Sequence, residues 1–466
     1  MSRASRRTSI AKPPNRDVTA PRAAPPGPRR RFPGDHLIAL ARDPLGLIEA
    51  MARCGDVSEI RIGPQRLVLV THPDDIQRVL VTDQRSFTKG RALERSKLML
   101  GEGLLTSEGA VHLRQRRLIQ PAFHRERVAR YAESMTAFAA EGDRSWTSGA
   151  GLDVHEEMMR LTLGIAAKTL LGADLDGPTI ERIGETVGLS LALFQYTVLP
   201  FGQLIEQLPL PVVRRLRRSR IALDAMVFAM IDERRRAGAS DRGDLLSMLL
   251  AVRDEDGSAL TEQQLRDEII TLLAAGHETT AVALSWTWYL LSRHPLAEGR
   301  LHHELRSVLR GRLPTADDLE RLVYTRAVLA ESMRLFPPAW VLERRAIERV
   351  EFRGYVVTPG TLVVVSQYLT HRDPRWWTEA ERFYPDRWLG RSAGAASRPR
   401  FAYFPFGAGT RACIGESFAW MEGILVLATL AQRWRLIHEP GHRVVPEPMI
   451  TLRPRYGMRM ITERRS

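Results

Sequence analysis

Apolar residues recur at three- and four-residue spacing over most of the chain from about residue 73 to residue 335. Leu161, Leu163, Ala166, Leu170 and Leu171 are one instance of the stripe that an amphipathic helix buries. Ahead of this region the period shortens. Val57, Ile60 and Ile62, then Leu67, Val68, Leu69 and Val70, flank Gly63-Pro64 and predict a hairpin over 56–62 and 66–71. Strand-like pieces return at 361–366 and in about the last twenty-five residues, while Pro200, Pro209 and Pro211 punctuate an apolar loop at 199–213. No internal repeat or Gly/Ser-rich linker divides the chain after Pro33. The expectation is a mainly α fold with small β-sheets, in a single domain from residue 34 to residue 466.

The most apolar stretch runs from Ile269 to Leu291, and its centre reads Gly276-His277-Glu278-Thr279-Thr280. Ionisable groups in the middle of a membrane span are costly and rare. A buried helix of a water-soluble domain is the better reading, and its polar centre needs a reason.

Charge changes the picture at one end only. The net charge is +14, and residues 1–33 supply +8 of it through nine basic residues and one acid. The same segment carries seven prolines and almost no large apolar side chains, so it is expected to be a disordered tail. The folded part is then only mildly basic, which argues against nucleic acid as a partner. Arg6-Arg7 has no apolar stretch after it, as an export signal would require. A cytoplasmic protein without a membrane span is expected, and a monomer.

Two cysteines, Cys54 and Cys413, are too few for a disulfide framework or for a zinc or iron–sulfur site built on thiolates. Cys413 alone has a special setting. Gly407 and Gly409 permit a tight turn before it, and an apolar helix-forming run follows Gly415. That places the thiol near a helix N-terminus, where free amides and the helix dipole favour a thiolate. One thiolate suffices as an axial ligand of haem iron.

Phe406-x-x-Gly409-x-Arg411-x-Cys413-x-Gly415 resembles the haem-binding signature of the cytochrome P450 family at every specified position. The resemblance implies a single-domain fold enclosing haem b, with Cys413 as the metal ligand and Phe406 beside it. It also implies a buried structural network of Glu331, Arg334 and Arg387. Glu-x-x-Arg recurs at four other places, but only Glu331/Arg334 runs into Leu335-Phe336-Pro337-Pro338, 82 residues before Cys413. Asp386 and Trp388 depart mildly from the family pattern around Arg387. For the haem propionates the resemblance points to His112 and Arg116, which stand at i,i+4, to Arg411, and to Arg344 or its neighbour Arg345. Arg114 and Arg117 on the same run fit a solvated basic face, available to an acidic electron donor.

The odd helix centre is similar to the family's oxygen-activation segment. Thr279 would hydrogen-bond the bound oxygen and Glu278 would relay protons, with Gly276 removing bulk and loosening the helix. The implied activity is that of a monooxygenase (an oxidoreductase) inserting one atom of dioxygen into an apolar small molecule such as a terpene or fatty acid. Residues 98–105, 194–205, Ala274 and 339–342 are expected to line its cavity. No Gly-x-Gly-x-x-Gly segment for flavin or nicotinamide is present, so electrons would come from a separate ferredoxin or similar protein. A peroxide-driven hydroxylase and a non-catalytic haem-thiolate sensor are the alternatives.

Overall fold

Asp43 splits the first apolar run into two helices, Asp35–Arg42 and Pro44–Ala52, by accepting the Gly46 amide with its side chain. In this computed structural model the described residues are 24–172, 179, 182–184, 186, 210–238, 242–254, 257–390 and 398–465. Most of the basic tail and the apolar loop, including 194–205, lie outside them. Residues 25 and 26 do not. Pro25 is buried and the Glu59 amide donates to the Pro26 carbonyl at 2.9 Å. The packed chain thus takes in residues ahead of the boundary expected at 33.

The hairpin forms as the alternation predicts. Val57–Ile62 pairs antiparallel with Gln65–Val70, around Gly63 in the left-handed region. Leu362–Val365 joins Gln65–Val70 in parallel, and Leu342–Ala346 and then Phe87–Lys89 extend the sheet antiparallel. The register sets Lys89 directly opposite Arg344. Smaller sheets pair Val350–Phe352 with Tyr355–Val357, Pro446–Pro448 with Leu452–Pro454, and Arg459–Arg464 with both Gly151–Asp153 and Trp434–His438.

The helical body is built around Glu262–Arg293, which a Thr261/Gln264 capping box starts. Its apolar residues are buried on every side by Val154–Leu171, Val323–Leu335 and Glu416–Arg433, all within one core. Trp286 stacks on Phe336 with ring centroids 4.1 Å apart. No helix among the described residues is long and apolar enough to cross a membrane. The helix runs unbroken through Gly276, contrary to the expected loosening there. A Cβ on Gly276 would meet only Leu170, at 3.9 Å, so no close protein neighbour requires the glycine.

Candidate functional site

The segment before Cys413 is shaped by what it must approach. Gly407 and Gly409 both have positive φ, and a Cβ on Gly409 would fall 2.1 Å from the Leu80 carbonyl oxygen. Gln84 Oε1 then accepts from both the Thr410 amide and its hydroxyl, and the Cys413 amide closes the turn on the Phe406 carbonyl at 2.9 Å. The Phe406 ring lies against Trp420. The following helix begins at Glu416 with Gly415 as its cap.

The Cys413 side chain is accessible, yet burial raises its thiol pKa, with the Gly415 amide and the Arg116 charge pulling the other way. Desolvation outweighs the expected bias toward free thiolate, and a coordinated metal ion would favour the thiolate again. The long helix borders an opening. Ala275 is exposed and Ala274, Gly276 and Thr279 are half-buried, whereas Leu273, His277, Glu278 and Thr280 are buried. Thr279 donates to the Ala275 carbonyl at 2.8 Å.

Cations crowd one edge of the site. Lys89, His112 and Arg344 are buried, and Arg116 and Arg411 are half-buried. Glu108 is the carboxylate among them: it accepts from Arg411 at 2.7 Å and from the Lys89 amide at 2.5 Å. Burial opposes ionisation of Glu108, but these two hydrogen bonds hold its pKa below the usual range. The bases shift down as well, which for them disfavours the charged form. Burial, joined by the Arg411 and Arg344 charges, takes Lys89 down to about 7. Burial, then Lys89 and Arg411, takes His112 to about 4, and burial with Arg411 takes Arg344 to about 10. Like charges placed opposite each other in a sheet repel. A cluster so short of negative charge fits a dianion, as the two propionates of haem provide.

Arg116 also donates to the Ala412 carbonyl at 2.7 Å, which ties the cation edge to the cysteine segment. Arg345, the alternative to Arg344, instead pairs with Glu94 and is about one-third exposed.

Behind the cysteine segment the hydrogen bonds are matched, with two arginines sharing one carboxylate. Arg334 forms two 2.9 Å bonds to the Glu331 carboxylate, and Arg387 adds a third at 2.8 Å. Glu331 and Arg334 are wholly buried, and the remaining Arg334 donors reach the carbonyls of His371, Ala380 and Arg382. Trp388 is explained here, since its indole N–H donates to Glu331 at 2.9 Å. The Glu141/Arg144 and Glu379/Arg382 copies are exposed surface pairs.

Matching the cytochrome P450 family pattern to this chain covers residues 25–458. The chain belongs to the cytochrome P450 family. It is 40% identical to cyclooctatin synthase of Streptomyces melanosporofaciens over 432 residues, 92% of this chain and 93% of that protein. It is also 40% identical to cyclooctat-9-en-7-ol 5-monooxygenase of the same organism over 408 residues, 87% and 88% of the two chains. Its fold superposes on the cytochrome P450DA heme domain with a TM-score of 0.83 at 26% identity, covering 95% of this chain and 98% of that one. This cytochrome P450 is an oxidoreductase, and family membership implies haem.

Several members of the site escaped the sequence reading. Lys89 and Glu108 belong to the cation edge; only Glu108, one residue before Gly109 and four before His112, was within reach of a pattern. His371 accepts the Phe404 amide at 3.0 Å through Nε2 while its carbonyl accepts from Arg334. It thus joins the charge network to the cysteine segment.

Other residues singled out in the sequence have protein partners of their own. Trp340, expected at the cavity, packs with Ile48 and Leu452 and donates to the Met449 carbonyl. Arg114 and Arg117 both bind Asp254, at 2.5 and 2.8 Å. Glu278 is buried with Oε1 accepting from Thr451 at 2.7 Å; burial raises its pKa against the pull of Thr451 and Arg453. Thr280 is buried beside Glu422, which burial raises to about 8.

Proposed function

We propose that this cytochrome P450 hydroxylates a cyclic, largely hydrocarbon molecule of the terpene kind. The observation that carries this reading is an accessible cysteine in the family's haem-binding segment, tied through Arg116 to a set of largely buried cations that outnumber their carboxylates. Support for the substrate class comes from relatives whose names specify cyclooctatin and cyclooctat-9-en-7-ol. When bound, haem supplies the iron at which dioxygen is activated, and an axial thiolate favours O–O cleavage.

The residues divide the remaining work. Cys413 Sγ would hold the haem iron, and the Gly415 amide and Arg116 would stabilise its negative charge. His112, Arg116, Arg344 and Arg411 hold the propionates, while Phe406 packs against Trp420 beside the ligand. The Thr279 hydroxyl faces the opening and positions a proton there. Glu278, whose pKa burial raises, is the carboxyl that passes protons inward from the Thr451 side. Electrons come from a separate ferredoxin-type protein.

Two measurements test this. Reduced protein with carbon monoxide should show the red-shifted Soret band of thiolate-ligated haem, lost in Cys413→Ala and kept in Cys54→Ala. Cyclic terpene alcohols should shift the haem spin state and, with ferredoxin, its reductase and NADPH, yield products one oxygen heavier. A panel in which fatty acids alone do so would reassign the substrate.

A further inference from the structure

The segment from Gly101 to Ser107 links the helix Arg91–Leu100 to the helix Gly109–Ile119 and is built to lie against the long helix. Gly101 has φ +72°, and a Cβ there would sit 2.1 Å from the Asp267 carboxylate; one on Gly103 would sit 2.3 Å from Thr271 Oγ1. Two backbone amides of the strap are bound by acids of that helix. The Glu102 amide donates to Asp267 at 2.8 Å, and the Leu104 amide donates to Glu268 Oε2 at 2.9 Å. The other side of the strap is held from the cation edge, where Lys89 Nζ donates to the carbonyls of Leu104 and Ser107. Leu104 is therefore fixed at both its amide and its carbonyl.

The two acids are not equivalent. Asp267 also accepts from Gln263 and from Arg266, which in turn pairs with Asp224. Glu268 is fully buried, and its Oε1 has no hydrogen-bond partner among the described residues. A charge placed so is expensive unless the contact it makes is used. Thr271, on which the strap rests, lies one i,i+4 step from Ala275 and two from Thr279, so all three share one ridge of the helix. The strap borders the opening described above.

We infer that Glu268 is a positioning residue: its carboxylate seats Leu104 on the long helix and so sets the outline of the space beside Ala275 and Thr279. This deepens the proposed function, since the space is the one read there as the substrate's. The charged groups acting on Glu268 are Asp267 on its own helix and Lys89 across the strap; Lys89 is itself influenced by Glu108, Arg411, Arg344 and Lys97. Burial, opposed by the Leu104 amide, raises the Glu268 pKa to about 7. Below that pH the carboxyl is neutral and a weaker acceptor, because hydrogen bonds to ionised groups are about twice as strong. The strap should loosen as pH falls from 8 to 6.

Amide hydrogen exchange of residues 101–107 in the haem-loaded protein, corrected for intrinsic rates, tests this. Protection should fall roughly tenfold from pH 8 to pH 6 in the wild type, the order expected for exchanging a charged hydrogen bond for a neutral one. Glu268→Gln keeps the shape and an acceptor but cannot titrate, and its profile should be flat. Glu268→Leu should lose protection at both pH values and bind 4-phenylimidazole about fivefold more weakly, with imidazole binding unchanged. Both azoles bind haem iron, so this ratio does not depend on any terpene being the substrate. A flat wild-type profile, or a pH dependence that survives in Glu268→Gln, overturns the inference. An unchanged azole ratio in Glu268→Leu overturns its extension to the cavity.

Discussion

Two buried charge clusters flank the cysteine segment, and they obey opposite rules. Around Glu331 every strong donor and acceptor is matched: two arginines, an indole and a backbone amide converge on one carboxylate. Around Lys89, His112, Arg344 and Arg411 the cations share one hydrogen-bonded carboxylate, Glu108, and the pKa values of the first three are displaced downward. A matched cluster completes the fold by itself. An unmatched one stores repulsion that only an added anion relieves, and that imbalance distinguishes a binding edge from a structural core.

Breaking the matched cluster should have the largest effect. Arg334→Ala strands Glu331 in a site with no exposure, and removing one partner of a buried pair costs about 3–5 kcal/mol. Chemical denaturation should show that loss, or the variant should fail to accumulate as folded protein with or without haem. A loss below about 1 kcal/mol would mean that water reaches Glu331, and the contrast between the clusters would collapse.

The same truncation on the unmatched side should behave differently. Arg344→Ala should leave the haem-free protein as stable as before or slightly more so, because it removes one of several repelling charges. Its haem affinity should fall tenfold or more, in line with the roughly 1.5–3 kcal/mol of a hydrogen bond to a charged group. Haem transfer to an apo-globin acceptor would measure this. Equal destabilisation of the haem-free and haem-loaded forms would place Arg344 with the structural cluster.

The pH dependence sharpens the comparison further. In the haem-free fold Lys89 titrates at about 7, against 10.5 for the ordinary side chain. Between those values the unfolded chain keeps a proton that the folded chain has shed, so stability rises with pH across that window. Below pH 7 both forms are protonated and the penalty is fully present. The stability difference between wild type and Lys89→Met should therefore shrink as pH is raised from 7 to 9.5. Haem, by bringing negative charge, should flatten the slope. Parallel stability curves for the two proteins would show that Lys89 is not depressed.

What could be read from the sequence follows the range of the interactions involved. The hairpin, the long helix and the cysteine segment are local, and period or glycine spacing marked each of them. Glu331 and Arg334 stood out by the residues that follow them, although their burial comes from contacts 37 to 57 residues away. Lys89 opposite Arg344 is a pairing across 255 residues that only strand register creates, so no local pattern announced it. Arg114 and Arg117 looked free for the same reason, since their shared partner Asp254 lies on a distant loop. The helix centre was legible as an anomaly. Its two polar residues, however, turned out to face different surroundings.

Glu278 and Thr279 repeat the contrast on a smaller scale, one buried and bound to Thr451, the other beside the opening. Thr279→Ala removes a hydroxyl that donates to the carbonyl one turn back, at 2.8 Å, so stability should change by less than about 1 kcal/mol. Haem content and substrate affinity should also hold. What should change is the fate of electrons: product formed per NADPH consumed should fall severalfold while peroxide release rises, because a proton is no longer placed at that position. Glu278→Gln keeps the buried shape and the contact with Thr451 but cannot pass a proton, so it should slow oxygen-dependent turnover without uncoupling it to the same extent. A wild-type coupling ratio in Thr279→Ala would hand the role to Thr280. That hydroxyl is buried beside Glu422 rather than facing the opening, so Thr280→Ala would then have to uncouple turnover where Thr279→Ala did not.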